Sequence, residues 1–145
     1  MKRQAVFLLF LALILQTEAS CERNVDLVHE YLHARIATMQ LDATPKDIER
    51  VLAFYADDFV YEHPSAKARI TGKDQVRAGM TSYLGLTKCT TYHLQLIGSN
   101  HNVVIAKVAM RFLAKQDDGT WKPGGRTNLT VFETENGKIK RILDY

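Results

Sequence analysis

The periodicity of the chain changes once, at Gly85, and that change limits the folds open to it. Upstream, apolar residues recur mainly at the three-to-four-residue spacing of amphipathic helices; downstream they alternate in runs separated by turn residues. Val25, Val28, Tyr31, Leu32, Ile36 and Met39 form one stripe and predict a helix over residues 24–40. Thr44, Pro45 and Asp47 form a start signal for a second helix, whose apolar set is Ile48, Val51, Leu52 and Tyr55. A third is predicted over 73–84, with Val76, Met80, Tyr83 and Leu84 on its buried side and Gly85 closing it. Strands follow over 88–98, 102–115, 121–134 and 138–145, with turn signals at Gly98-Ser99-Asn100, Asp117-Asp118-Gly119 and Asn136-Gly137. The expected fold is α+β: three helices from the N-terminal half packed on the concave face of a curved antiparallel sheet. The end that the helices leave open is a natural pocket.

The first twenty residues do not belong to this plan. Lys2 and Arg3, the uncharged run Ala5 to Leu15, and the polar stretch Gln16 to Ser20 read as a cleaved secretory signal, so one domain is expected over residues 21–145. The apolar run is short of the roughly 20 residues a spanning helix needs. Secretion or export to a periplasm follows. Ala19-Ser20-Cys21 also fits a lipid-attachment site, which would make Cys21 a membrane anchor, but Glu18 stands where such sites carry an aliphatic residue. With Cys89 as the other cysteine, the alternatives are a Cys21–Cys89 disulfide or two free thiols. The formal charge is +3 with both signs interspersed, which argues against a nucleic-acid footprint.

One strand pattern interrupts the helical half. In Asp57-Asp58-Phe59-Val60-Tyr61-Glu62-His63-Pro64, alternation puts Phe59, Tyr61 and His63 on one face, and Pro64 ends the strand, with a loop expected from Ser65 to Arg69. An ionisable ring in an aromatic row is either a satisfied core histidine or the polar feature of a pocket. Tyr31, Tyr55, Tyr83 and Phe112 are further candidates to line an apolar cavity. His29 and His33 stand four apart on a helix, but no third ligand accompanies them, so neither metal nor cofactor is expected.

The order of elements, with Ala53-Phe54-Tyr55-Ala56-Asp57-Asp58-Phe59 entering the first strand, a proline closing it and Thr71-Gly72-Lys73-Asp74 opening the third helix, resembles the SnoaL-like group of the nuclear-transport-factor-2-like superfamily. That group is related to polyketide cyclases and ketosteroid isomerase. The resemblance implies a cone-shaped fold, a pocket for a small hydrophobic ligand, and homodimerisation. It also implies candidate residues. Ketosteroid isomerases place an Asp before the strand-ending proline, where this chain has His63; their oxyanion-hole tyrosine matches Tyr31. Their protonated Asp falls near Thr130, which has no carboxyl group, so a complete steroid-isomerase site is absent. Polyketide cyclases carry an acid/base Asp on the last strand in a Gly-Lys-Ile-x-x-x-x-Asp context, which Gly137 to Asp144 reproduces. Limonene-epoxide-hydrolase-like members add an Arg-x-Asp on an earlier strand, and Arg111-Phe112-Leu113 lacks that Asp. The implied site is His63 as base, Asp144 as its partner and Tyr31 as donor, with Phe59, Tyr61, Tyr55, Tyr83, Phe112 and Thr130 around it. The implied chemistry is cofactor-free isomerisation or cyclisation, and the alternative is a binding or dimerisation domain without turnover.

Overall fold

A computed structural model describes residues 22–145; the leader expected over residues 1–20, and Cys21, lie outside the described residues. Helix α1 covers residues 22–37, α2 Pro45–Leu52 and α3 Gly72–Thr81. The strands are β1 Tyr55–His63, β2 Ala68–Thr71, β3 Thr87–Ser99, β4 Val103–Lys115, β5 Trp121–Glu135 and β6 Lys138–Asp144. They form one sheet in the order β2-β1-β6-β5-β4-β3.

Each helix stops where its backbone tightens. Met39 and Gln40 donate three residues back, to Ile36 and Ala37, and end α1 earlier than its apolar stripe suggests. The Met39 carbonyl then accepts the Thr87 and Thr90 hydroxyls, at 2.8 Å each, which ties the end of α1 to β3. At the start of α2 the Thr44 N–H and hydroxyl both donate to the Asp47 carboxylate, at 2.9 and 2.8 Å. Tyr55, expected on α2, opens β1 instead and pairs with Ile139. It lies a helical turn beyond Leu52, so its burial suits either period. Tyr83, expected on the buried side of α3, follows that helix's last residue and is 62% exposed.

Two features of the sheet differ from expectation. The loop proposed at Ser65 to Arg69 contains the start of β2, which returns antiparallel to β1 through a 3-10 turn at Pro64–Ala66 and a left-handed Lys67 (φ 51°). Four residues of strand and a turn without glycine carry too little period to be read. The sheet is also mixed: β1 runs parallel to β6, while the other neighbours are antiparallel. A parallel neighbour needs a long crossover, and α3 to β5 supplies it.

Irregularities at Tyr55/Val60, Lys88/Thr91, Leu96/Gly98 and Glu133/Thr134 interrupt the register and bend the strands around the helices. The core lies on the inner face. Val28, Leu32, Ile48, Val51, Val76 and Met80 from the helices pack with Phe59, Val104, Ala106, Phe132, Ile139 and Ile142 from the strands.

Candidate functional site

Period-two alternation on β5 sends Phe132, Thr130, Asn128 and Arg126 to the inner face, and their exposure grades from buried to exposed in that order. This row runs up the wall of a cavity of about 230 Å³ between the sheet and the helices. An apolar cavity of about 150 Å³ is enough to hold benzene, so this one has room for a one- or two-ring molecule. Aromatic side chains supply much of the lining. Tyr55 stacks on Phe59 with centroids 3.8 Å apart, and Tyr31 meets Phe132 edge-on at 6.0 Å.

The polar centre of the wall is Asp144. Register sets Thr130 opposite it on β5, and the Thr130 hydroxyl donates to Oδ1 at 2.6 Å. Tyr61, pointing inward from β1 on the other side of β6, donates its hydroxyl to Oδ2 at 3.1 Å. Asp144 is only 6% exposed although it is the penultimate residue. Beyond it, Leu129 and Tyr145 exchange backbone hydrogen bonds and continue the pairing of the strand. Arg141, on the same strand, lies on the opposite face and pairs with Glu62 at 2.6 Å and Glu133 at 3.4 Å. Two neutral hydroxyls, rather than a cation, therefore hold this carboxylate.

A second hydroxyl pair lies beside it. Tyr55 donates to Tyr31 at 3.1 Å, which leaves the proton of Tyr31 available to a guest. Burial pushes the Tyr31 hydroxyl above the usual tyrosine range, opposed chiefly by the Arg35 guanidinium, and pushes Tyr55 well above it. Tyr61 is pushed up to about 12 by burial, reinforced by the negative charge of Asp144. All three remain protonated donors at neutral pH.

The cavity thus brings together Tyr31, Asp144, Tyr61, Thr130, Tyr55 and Phe59, with Tyr83 at its edge. His63 does not line it. The inward row of β1 reaches the cavity at Phe59 and Tyr61; by His63 the strand has left for its turn, and the ring's Nδ1 meets the Ser65 hydroxyl at 3.0 Å in an exposed setting. The expected convergence of His63 on Tyr31 and Asp144 therefore does not occur. Phe112 is also outside the lining; its ring covers Gly124, where an added Cβ would come within 2.6 Å of Cε2. Arg35, Asn128, Met110, Gly79 and Arg126 also line the cavity, and no local sequence pattern marks them as lining residues. The inward Arg-x-Asn pair is Arg126 and Asn128, not the triplet at Arg111, and it too carries no second carboxylate. Among the described residues no group of three metal-ligating side chains is placed to hold an ion. His29 and His33 both approach Tyr92 instead. Chemically, the arrangement offers a carboxylate to accept a proton, a tyrosine hydroxyl to donate to an oxygen, and an apolar bed between them.

The profile of the SnoaL-like domain matches residues 28–142. No curated protein matches the chain in sequence. Among solved structures, a Xanthomonas campestris protein provisionally assigned as a polyketide cyclase superposes with a TM-score of 0.67 at 16% identity, covering 87% of this chain and 91% of its own. An epoxide hydrolase of the LEH-like type from M. tuberculosis gives 0.66 at 21% identity over 86% and 83%. A provisionally assigned ketosteroid isomerase from Kribbella flavida gives 0.59 at 19% over 86% and 77%. At these identities the likeness is one of fold.

Proposed function

The chain belongs to the SnoaL-like domain family, and from that premise we propose that its cavity binds a small, largely hydrophobic carbonyl compound and catalyses proton transfer at the carbon beside the carbonyl. The observation that carries this reading is the buried Asp144 carboxylate, held by Thr130 and Tyr61 in the wall of a largely apolar cavity. In this scheme Asp144 takes the proton and returns it, the chemistry shared by isomerisation and aldol-type cyclisation. Tyr31 donates to the oxygen that gains negative charge, oriented by the bond it accepts from Tyr55. His63 has no part in it. With the leader expected over residues 1–20, this activity belongs to a secreted or periplasmic protein.

Solvent deuterium exchange tests the scheme whatever the final product of the reaction. The bicyclic ketone 2-tetralone has acidic protons beside its carbonyl, and its exchange in D2O is read by proton NMR. Wild type is expected to accelerate exchange, and Asp144→Asn to reduce the acceleration at least 100-fold. Equal rates with both proteins would remove Asp144 from any proton transfer on such ketones.

A second reading has its own support. The sheet face away from the helices carries Ile105, Leu129, Val131, Leu143 and Tyr145 in register across β4, β5 and β6. An apolar face of this kind suits a second copy of the chain, and a domain that only dimerises or binds would keep the cavity without turnover.

A further inference from the structure

Charge is not balanced around the cavity. Its charged lining residues are Arg35 on α1, Arg126 on β5 and Asp144 on β6. Neither arginine makes an ion pair among the described residues. Arg35 donates to the Thr38 hydroxyl at 2.7 Å, and Arg126 has only the Met110 sulfur at 3.9 Å. Asp144 offsets one of the two cations, leaving a net single positive charge over an aromatic interior.

The position of that charge is also defined. Along β5, Arg126 stands four residues from Thr130, about 13 Å of strand, toward the exposed end of the inward row. Arg35 is half-buried on the facing helix, and both guanidinium groups act on the Tyr31 hydroxyl. Two cations that line the cavity from α1 and β5 and are more exposed than Tyr55, Phe59 and Phe132 suit a molecule with an apolar body and one anionic head.

We infer that the ligand of this cavity is a monocarboxylate of one or two rings, seated with its rings on the aromatic floor and its carboxylate between Arg35 and Arg126. A guanidinium presents its donors as a planar fork that matches a carboxylate, and a single charge neutralises the surplus that the cavity carries. This inference rests on the binding reading above and adds the head group. It also sets the direction of entry: rings first, so that the atoms near Asp144 belong to the apolar body.

Isothermal titration with naphthalene-2-carboxylate and its neutral isostere naphthalene-2-carboxamide separates the two claims. The carboxylate is expected to bind at least tenfold more tightly than the amide at low salt, with the preference shrinking as salt rises. Arg126→Gln and Arg35→Gln should each reduce that preference severalfold. An amide that binds as well as the carboxylate, or a preference that survives both substitutions, would overturn the inference and leave the apolar pocket standing. Failure of folded wild type to bind either compound would remove the pocket reading and this inference with it.

Discussion

Thr130 and Tyr61 hold the buried Asp144 carboxylate with neutral hydroxyls rather than with a cation. Thr130→Val keeps the side chain's shape but removes the 2.6 Å donor from a buried carboxylate, so it should destabilise the fold by about 1–3 kcal/mol in urea unfolding. Thr130→Ser, which keeps the hydroxyl, should lose markedly less. Tyr61 adds a pH signature. Its folded pKa of about 12 lies above the ordinary tyrosine value near 10. The folded state therefore holds that proton more tightly than the unfolded chain. The resulting stability is complete below pH 10 and is lost as pH rises through 12. Tyr31 and Tyr55 shift in the same direction and steepen the loss. Urea midpoints measured from pH 8 to 12 should fall above pH 10, and less steeply in Tyr61→Phe.

Two glycines sit in opposite packing environments. Gly79 lies inside α3 and lines the cavity, and a Cβ placed there would meet nothing within 4 Å. Gly79→Ala should therefore stabilise the protein by about 0.5–1 kcal/mol through helix propensity while leaving the cavity open. Gly79→Phe should fill it. Gly125 on β5 is the opposite case: an added Cβ would stand 2.6 Å from the Met110 carbonyl oxygen, so Gly125→Ala should cost about 1–3 kcal/mol in the same assay. The helices and long strands were legible because each sustains its period over eight residues or more. β2 was not, because four residues and a turn built on Lys67 give no comparable pattern. For His63, alternation says which way a side chain is expected to point and not where the cavity ends, and the cavity lining does not include it. Arg126, Asn128 and Thr130 stood in the sequence as an alternating row, yet a polar row reads the same whether it faces solvent or a cavity. Asp144 emerged from the Gly137-to-Asp144 spacing, and its holders Tyr61 and Thr130 from strand alternation and family position, but their contact depends on the β1–β6–β5 order, which no local pattern encodes.

At the scale of the molecule, one sheet presents two contrasting faces. The inner face holds the core and the cavity; the outer face sets Ile105, Leu129, Val131, Leu143 and Tyr145 among charged neighbours such as Lys107, Glu133 and Arg141. If that face pairs two copies, sedimentation velocity should give a dimer for wild type and a monomer for Leu129→Lys, with ligand binding intact in both. A monomeric wild type would set the dimerisation reading aside without touching the cavity. The cavity itself is the central claim, and native mass spectrometry of the purified protein mixed with 2-tetralone tests it most directly. Wild type should carry one molecule per chain, and folded Gly79→Phe should carry none. A wild-type spectrum without the adduct, or one retained undiminished in Gly79→Phe, would contradict the assignment of this cavity as the binding site.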